Sequence, residues 1–379
     1  MKPLRVAIVG PFPRSSAQID GGVAAATLYL SRALARHPAV DVVGVRISAS
    51  GKHHSVASDF EWPIEEIDLG RFSVSTMFSR QLRQFKSLLD DLRPDVVHAQ
   101  GADAAGYLAV KSGYPAVVTV HGILSECAKY RTNLVGRGRE MLQSFVTEQL
   151  VVTRAPHVIA ISPYVTRYYS NRLRGAVYDV PNPVAQEYFH VQRQPEPGRF
   201  LFAGRISLGK GLLDLVRAVA MERTCVSRVV MAGAAPEHEF RARLEREISE
   251  SGVAALVELR GLVDEQSLLE EFAISSALIL PSYQETAPMV VEQAMAAGLP
   301  VIATRVGGIP DMIEDGVSGL LIEPGDVEAL RHQMRRLAGE RTLGERLAEC
   351  ARARARDYFS AERVAESTLS VYRSVLKGS

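Results

Sequence analysis

Two basic residues lie in a glycine-rich loop near the middle of the 379-residue chain. In AGRISLGKGLLDL (203–215), Arg205 and Lys210 stand among three glycines, directly after an apolar segment typical of a buried strand. A guanidinium and an ammonium group in a strand-to-helix loop are suited to bind a diphosphate, although a solvated basic loop is the alternative. The loop nearly matches the P-loop pattern GxxxxGK[ST], but Gly211 stands where that pattern requires a hydroxyl residue. An NTPase or kinase is therefore a less favoured alternative function.

A second polar cluster precedes the alanine-rich segment of YQETAPMVVEQAMAAG (283–298). We expect a helix to begin near Thr286 or Ala287, with Pro288 in its first turn, where a missing N–H costs nothing. Glu285 then lies just outside the helix, where a carboxylate either complements the helix dipole or accepts hydrogen bonds from sugar hydroxyls. The free N–H groups of the first turn would hold a neighbouring phosphate. The segment therefore predicts a site for a phosphorylated sugar.

Two residues of the first half are also candidates for the site. His121 ends the predicted strand AVVTVHG (116–122), so its imidazole is expected at a ligand-binding edge, the alternative being a histidine held by neighbouring backbone. Gly21 and Gly22 end a long loop after the first strand and open a helix. Glycine there lets the backbone approach an anionic ligand, or serves only to turn a flexible lid.

Short apolar segments alternate with amphipathic helical segments along the whole chain, which predicts an α/β fold with parallel sheets. The predicted strands are 4–10, 41–47, 95–101, 116–122 and 157–162, then 199–206, 227–235, 256–262, 276–282, 300–306 and 318–324. The predicted helices include 23–37, 78–92, 212–223, 238–251, 266–274 and 326–339.

A stretch rich in proline and polar residues, 180–198, interrupts this alternation and is the predicted linker. The sequence therefore predicts two doubly wound, Rossmann-like domains, residues 1–183 and 184–359, facing each other across a cleft. Ligands of such sheets bind at the carboxyl ends of the strands.

Composition excludes several classes of protein. The net charge is +1, which does not indicate nucleic-acid binding, although residues 1–185 sum to +6 and residues 186–379 to −5. The three cysteines, Cys127, Cys225 and Cys350, form no CxxC pair, so neither a zinc site nor a disulfide framework is expected. With no apolar run of about 18 residues, we expect a cytoplasmic protein.

The motifs together resemble a known family. FAGRISLGKG, VELRGLV, ALILPSYQETAPMVVEQAMAAGLPVIATRVGGIPDMI and DGVSGLLIEPGD are similar to the retaining glycosyltransferases of family 4, which have the GT-B fold. In the first half, GGVAAATLYLSRAL, DVVHAQG, TVHG and AISPYV agree more loosely. The resemblance implies that the C-terminal helix, within 360–379, crosses back onto the first domain.

The resemblance also assigns roles to individual residues. Arg205 and Lys210 match the family's cations on the leaving diphosphate, and Glu285 matches the carboxylate that binds hydroxyls of the donor sugar. His121 matches the histidine near that sugar, and Gly22 matches the glycine that approaches the phosphates. The expected catalytic residues are Arg205, Lys210, Glu285 and His121.

The chain departs from the family's Glu-x7-Glu element, because the second Glu is replaced by Gln293. That Glu is associated with the donor's ribose, and a neutral amide forms the weaker kind of hydrogen bond to it. The more usual Gly-Phe-Gly run is replaced by Thr286-Ala287-Pro288, which changes the pocket's shape. Besides Gly22, Arg205, Lys210, Glu285 and Gln293, the expected donor-binding residues are Val263 near the base, Ala287, Pro288, Met289 and Val290.

The implied reaction transfers a hexose from a nucleoside diphosphate sugar to a hydroxyl of a saccharide or lipid-linked acceptor. Retention of configuration by front-face substitution is expected, with no metal ion and no further cofactor. The basic, tyrosine-bearing stretches 129–139 and 166–174 either face an anionic lipid-linked acceptor, with peripheral membrane contact, or are solvated faces. A non-catalytic relative that binds a nucleotide sugar is the second alternative, prompted by Gln293.

Overall fold

The computed structural model describes residues 2–13, 15, 19, 21–48, 60–69, 78–131 and 134–378. The chain forms two compact units. The first unit comprises Met1–Ser125, Gly138–Pro183 and Ala361–Ser379, and the second comprises Glu126–Arg137 and Val184–Ser360. Residues 126–137 therefore group with the second unit, whereas the sequence analysis placed them in the first domain.

The first unit contains a sheet of seven parallel strands in the order β3-β2-β1-β4-β5-β6-β7. Its strands are β1 Leu4–Gly10, β2 Val40–Ser48, β3 Ile64–Asp68, β4 Val96–Gln100, β5 Ala116–Val120, β6 His157–Ala160 and β7 Ala176–Asp179. The second unit contains six parallel strands in the order β10-β9-β8-β11-β12-β13. They are β8 Arg199–Ala203, β9 Arg228–Ala232, β10 Val257–Gly261, β11 Ala277–Leu280, β12 Val301–Thr304 and β13 Leu320–Ile322.

Helices lie between most of the consecutive strands. They are α1 Gly22–Ala35, α2 Ser79–Leu92, α3 Ala104–Ser112, α4 Leu124–Ala128, α5 Leu134–Gln143, α6 Gln149–Arg154, α7 Pro163–Tyr169, α8 Gln186–Phe189, α9 Leu212–Met221, α10 His238–Glu250, α11 Glu265–Ile274, α12 Met289–Ala297, α13 Ile309–Met312, α14 Val327–Gly339, α15 Arg341–Tyr358 and α16 Ala361–Lys377. A π-helical segment, Ser144–Glu148, joins α5 to α6, and a 3₁₀ turn, Leu208–Lys210, precedes α9. Within the described residues, no helix is both long and apolar enough to cross a bilayer.

Burial explains which strands the sequence could reveal. The central strands β4 and β5 are buried at every position, as expected for apolar strands covered on both faces. Two strands at the edges of the first sheet, β3 and β7, were not predicted. β3 reads IEEID and β7 is largely exposed, so neither carries the continuous apolar run that marks a buried strand. The predicted α/β class with two doubly wound parallel sheets is confirmed.

The predicted linker is more ordered than its composition suggested. It contains α8, and the N–H groups of Gln194 and Glu196 donate to the carbonyls of Ala273 and Ile274 at 2.8 and 2.7 Å. These bonds fasten the end of the stretch to the second unit.

Strand order reverses once in each sheet, and this reversal locates the sites. The reversal lies between β1 and β4 in the first unit and between β8 and β11 in the second. In doubly wound sheets, the loops at the carboxyl ends of the strands flanking this reversal form the usual ligand-binding crevice. The glycine-rich loop follows β8 and the Glu285 segment follows β11, so both predicted motifs meet at the reversal of the second sheet.

Candidate functional site

Backbone hydrogen bonds tie together the loops that follow β8, β9 and β10. Gly204 N–H donates to the Ala232 carbonyl at 2.9 Å, and Gly233 N–H donates to the Gly261 carbonyl at 2.7 Å. These bonds continue the parallel pairing past the ends of the strands, so the loop carrying Arg205 has a defined start. The Arg205 side chain is exposed, and within the described part of the chain it forms no hydrogen bond or ion pair. Its guanidinium is therefore available to an anionic ligand.

Gly211 closes the same loop in a conformation that requires glycine. Its φ is +65°, and a Cβ atom built there would lie 1.9 Å from the carbonyl oxygen of Pro281. A P-loop needs serine or threonine at this position to hold Mg²⁺. Because no side chain fits against Pro281, this loop cannot form that magnesium site.

Lys210 and Glu285 form an ion pair across the strand-order reversal. The Nζ atom of Lys210 lies 2.5 Å from Oε1 of Glu285, and the Ser282 hydroxyl donates to the same oxygen at 2.7 Å. The Lys210 side chain is 24% exposed and the Glu285 side chain 9%. Among the described residues both bonds to this carboxylate end on Oε1, which leaves Oε2 to accept from a ligand. The carboxylate is thus oriented by the protein and still has accepting capacity.

The helix that follows Glu285 begins later than predicted. α12 starts at Met289, and Pro288 is its N-cap rather than a member of its first turn. The stretch from Glu285 to Ala287 instead bends ahead of the helix, and Gly308 N–H holds it by donating to the Glu285 carbonyl at 3.3 Å. The first-turn N–H groups of Met289 and Val290 have no acceptor within the helix, so they can donate to an anion beside Glu285.

Tyr130 packs on the same loops, which the sequence analysis did not foresee. Its ring stacks on Tyr283 with centroids 6.0 Å apart, and its hydroxyl donates to the Tyr283 carbonyl at 3.3 Å. A Cβ atom at Gly209 would lie 3.0 Å from the Tyr130 Cβ, so glycine is needed for this close approach. Tyr130 therefore covers Gly209, directly before Lys210, and Tyr283, two residues before Glu285.

A further hydrogen bond anchors Tyr283, the residue on whose ring Tyr130 stacks. The Tyr283 hydroxyl donates to Oδ2 of Asp214 at 2.6 Å, and its backbone N–H donates to the Gly209 carbonyl at 2.8 Å. Burial, together with the bond to the Asp214 carboxylate, raises the pKa of Tyr283 to about 12. The phenol therefore stays protonated at neutral pH and continues to donate, which holds the 3₁₀ turn against the Glu285 segment.

In the first unit, His121 directly follows β5, and side chains occupy both of its ring nitrogens. Nε2 lies 2.7 Å from Oε1 of Gln100, and Nδ1 lies 3.1 Å from Oδ1 of Asn182. Burial lowers the pKa of His121 to about 4, and the hydrogen bond with Asn182 offsets this only in part. The imidazole is therefore neutral at pH 7. It is held by two amides, not by backbone as the alternative prediction supposed.

Gly22 is the first residue of α1 and lies in the first unit with His121. The N-cap, Gly21, has a φ of +105°, and none of the described residues lies within 4 Å of the position its Cβ would take. The first turn of α1 carries no acidic residue. The backbone there is open, as a close approach by an anionic ligand requires.

Comparison with known proteins identifies the family. The family described as Glycosyl transferases group 1 matches residues 197–340, and Glycosyltransferase Family 4 matches residues 20–188. The chain belongs to the family 4 glycosyltransferases.

Curated relatives of this family 4 member differ in how much of their length they share with it. The α-maltose-1-phosphate synthase of Mycobacterium tuberculosis is 27% identical over 334 residues, which cover 78% of this chain and 86% of that enzyme. The D-inositol 3-phosphate glycosyltransferase of Streptomyces griseus is 34% identical over 184 residues, which cover 46% of this chain and 39% of the relative. The second match thus spans less than half of that relative's length.

Solved structures show that this glycosyltransferase has the GT-B fold. Sucrose-phosphate synthase from Thermosynechococcus elongatus matches with a TM-score of 0.84 and 20% identity, over 99% of this chain and 100% of that one. HepE from Anabaena, solved in complex with UDP-glucose, matches with a TM-score of 0.77 and 17% identity, over 97% and 99% of the two chains.

The departures from the family pattern fall on α12 and the turn before it. Gln293 is 5% exposed, and its neighbour Glu292 is fully buried. Thr286 and Ala287, which stand in place of the family's Gly-Phe-Gly run, are also buried. Val263 is half-buried in the loop after β10, next to Gly261, whose φ is +77°.

The predicted site residues of this glycosyltransferase thus divide between the units. The second unit brings Lys210 and Glu285 into contact and holds Arg205 and the start of α12 at the same end of its sheet. Gly22 and His121 occupy the corresponding end of the first sheet. The binding and catalytic roles of these residues remain predictions.

Proposed function

We propose that this family 4 glycosyltransferase moves a hexose from a nucleoside diphosphate sugar to an acceptor hydroxyl, with retention of anomeric configuration. The observation that carries the proposal is the arrangement around Glu285. One carboxylate oxygen is held by Lys210 and Ser282, and the other remains able to accept from sugar hydroxyls. The side chains lie where strand order reverses, the usual ligand site of such a sheet.

The cationic side chains account for the leaving group. Breaking the bond between the sugar's anomeric carbon and the diphosphate oxygen leaves one additional negative charge on the nucleoside diphosphate, until it takes up the proton that the acceptor hydroxyl loses as its oxygen bonds to the sugar. Arg205, which is exposed and unpaired within the described residues, and Lys210 would stabilise this charge as it develops. The first turn of α12 would donate N–H groups of Met289 and Val290 to the same phosphates.

The donor is proposed by analogy with relatives. HepE was solved with UDP-glucose, and the curated relatives include maltose-1-phosphate and inositol 3-phosphate enzymes. We therefore propose a nucleoside diphosphate hexose as donor, and a saccharide or lipid-linked hydroxyl as acceptor in polysaccharide or lipid-linked glycan assembly. The donor base would be held near Val263, mostly by backbone groups. No metal ion is required in this proposal, because Arg205 and Lys210 supply the positive charge.

Thermal-shift measurements with UDP, GDP and ADP hexoses test the proposal first. The correct donor should raise the melting temperature of the wild-type protein, and less so that of Arg205→Ala or Lys210→Ala. Turnover is then followed by NMR of the anomeric proton, with and without EDTA. A product of the same anomeric configuration as the donor, formed at an undiminished rate in EDTA, supports the proposal.

The alternatives give different outcomes in the same experiment. Tight donor binding with neither transfer nor slow donor hydrolysis would indicate a non-catalytic relative. Magnesium-dependent ATP hydrolysis that is lost in Lys210→Ala would indicate an NTPase, against which the backbone at Gly211 already argues.

A further inference from the structure

A continuous line of polar side chains runs through the core of the first unit. The Tyr372 hydroxyl on α16 lies 2.7 Å from Nδ1 of His98, and the Gln100 amide nitrogen lies 3.2 Å from Nε2 of the same ring. Oε1 of Gln100 in turn lies 2.7 Å from Nε2 of His121. Tyr372, His98 and Gln100 are each at most 2% exposed. These four residues, here called the polar chain, link the C-terminal helix to His121.

The sheet geometry explains why these side chains meet. His98 and Gln100 are two residues apart on β4, so they point to the same face of the sheet. Gln100 is in register with Thr119 on β5, and His121 follows two residues later. The Thr119 hydroxyl lies 2.7 Å from Nε2 of His98, which confirms that they share that face. An otherwise apolar pair of strands thus presents a polar stripe toward α16.

The hydrogen bonds of the polar chain depend on which ring nitrogen of each histidine carries the proton. Burial lowers the pKa of His98 to about 3 and that of His121 to about 4, so both rings are neutral and each carries one N–H. The His121 ring nevertheless has an amide oxygen beside each nitrogen, from Gln100 and Asn182. A neutral imidazole donates to one of them, so the other amide must turn its nitrogen toward the ring.

Tyr372 determines which amide turns. Among the described residues, its hydroxyl has one hydrogen-bonding partner, Nδ1 of His98. The Thr119 hydroxyl also has one such partner, Nε2 of His98, but Thr119 lines the adjacent cavity, which has room for about one water molecule, whereas Tyr372 is fully buried and is not among the residues that line it. A buried O–H without an acceptor is costly, so the Tyr372 O–H is the one that donates to His98, at Nδ1, and the His98 proton occupies Nε2. That N–H donates to Thr119, and the Gln100 amide beside it presents its oxygen, because an amide nitrogen there would place one donor against another. The Gln100 amide therefore turns its nitrogen to Nε2 of His121, and the His121 proton occupies Nδ1 and donates to Asn182.

We propose that Tyr372 is a positioning residue for His121: acting through His98 and Gln100, its hydroxyl sets which ring nitrogen of His121 carries the proton. The polar chain is not itself a ligand pocket, because the cavity beside it measures about 10 Å³, roughly the space of one water molecule. The tautomer assignment stands on the geometry of the first unit alone. Only its consequence for sugar transfer rests on the proposed function.

Nitrogen-15 NMR of protein labelled at histidine tests the assignment, because the two neutral tautomers have distinct shift patterns. The His121 signal is identified by its loss in His121→Gln. In the wild-type protein it should report the Nδ1–H form. In Tyr372→Phe the Nε2–H form should become populated, with the tautomer ratio falling on the order of tenfold, because the O–H that biases His98 is gone.

Two variants serve as controls. Tyr169→Phe removes a hydroxyl that is also fully buried in the first unit but bonds to Glu148, outside the polar chain. Thr119→Val removes the hydroxyl at the other nitrogen of His98 and leaves Tyr372 in place. Both should keep the wild-type Nδ1–H signal at His121. A general loosening of the core would instead disturb the signal in all three variants.

Kinetics with the donor identified above then test the catalytic consequence. Tyr372→Phe should lower kcat several-fold with little change in the donor KM, since the donor-binding residues of the second unit are untouched. An Nε2–H signal in the wild-type protein overturns the proposal without any variant, as does an unchanged tautomer ratio in a folded Tyr372→Phe. If the tautomer changes as expected while no transferase activity exists, the proposed function fails and the assignment stands.

Discussion

The Nζ atom of Lys210 lies 2.5 Å from Oε1 of Glu285, so the side chains that follow β8 and β11 form an ion pair. Each group thereby keeps the other in place before a ligand arrives. A diphosphate that binds Lys210 competes with Glu285 for the ammonium group, and a sugar hydroxyl that binds Glu285 uses its second oxygen. The pair therefore holds the loops after β8 and β11 together at the site proposed for the nucleotide sugar.

Substitution of either cation should slow transfer strongly, but only one should affect stability. Lys210→Ala leaves the largely buried Glu285 carboxylate without its cation, which should lower the free energy of unfolding by about 1–3 kcal/mol. Arg205→Ala removes an exposed side chain and should change it by less than about 0.5 kcal/mol. Each substitution should lower kcat by on the order of 100-fold. Urea unfolding and initial transfer rates provide the two measurements.

The double variant Lys210→Met/Glu285→Gln is the control for the stability effect. It removes both charges and keeps similar volumes, so most of the stability lost in Lys210→Ala should return while the transfer rate stays low. Equal stability of Lys210→Ala and the wild-type protein would show that the ion pair contributes nothing.

Restoring the family's second carboxylate with Gln293→Glu should strengthen donor binding and lower the stability of the protein. In Gln293→Glu a charged acceptor replaces a neutral one, and a charged hydrogen bond is stronger by about 1 kcal/mol, or roughly fivefold in donor Kd. The residue is 5% exposed and adjoins the fully buried Glu292, so the new charge should also lower the melting temperature. Calorimetric titration with the donor and thermal unfolding measure both effects. Weaker donor binding in Gln293→Glu would show that residue 293 does not contact the ribose.

Tyr130 should support donor binding. It lies in the segment 126–137, which groups with the second unit. Tyr130→Ala removes the ring stacked on Tyr283 beside Gly209, an aromatic contact that contributes about 0.5–1.5 kcal/mol. The donor KM should therefore rise by up to about tenfold as the 3₁₀ turn loosens. Tyr130→Phe keeps the ring and loses only the 3.3 Å hydrogen bond, so its KM should stay near the wild-type value. Identical donor KM values for the wild-type protein and Tyr130→Ala would refute this role.

The inner strands of both sheets could be predicted, because short continuous apolar segments bounded by glycine or proline are typical of buried parallel strands. The segments 4–10 and 116–122, for example, correspond to β1 Leu4–Gly10 and β5 Ala116–Val120. The edge strand β3 was missed because Glu65, Glu66 and Asp68 interrupt the apolar run that marks a buried strand. The start of α12 was predicted two to three residues early, because Pro288 is compatible with both the first turn and the N-cap.

The site was predicted less completely than the fold, for a physical reason. Arg205, Lys210 and Glu285 stand out because charged residues near glycine-rich loops are chemically distinctive. The polar chain was missed because its members are 274 residues apart at most, and sequence separation hides which of them touch. A signal was nevertheless present, since His98 and Gln100 alternate within an otherwise apolar strand. Tyr130 left no such signal, because its position depends on contacts distant in sequence.

The buried histidines should make the protein less stable in mild acid. Burial lowers the pKa of His98 from 6.5 to about 3, and that of His121 from 6.5 to about 4. As pH falls below 6.5, the unfolded chain gains protons that the folded protein does not bind, so the free energy of unfolding falls with pH down to the folded pKa. Between pH 7.5 and 5.5 each histidine should contribute a loss of roughly 1.4 kcal/mol. Urea unfolding at the two pH values measures it.

His98→Gln separates this effect from the titration of other groups. The amide cannot take up a proton, so the loss between pH 7.5 and 5.5 should shrink by roughly 1.4 kcal/mol, whatever the variant's absolute stability. His37→Gln is the matched control, because that histidine lies at the surface, 3.2 Å from Glu366, and is not deeply buried. The pH-dependent loss in His37→Gln should stay near that of the wild-type protein, because the His37 side chain is 24% exposed whereas His98 is fully buried. If His98→Gln retains the full wild-type loss, His98 is not the neutral, buried group that Tyr372 and Thr119 require it to be.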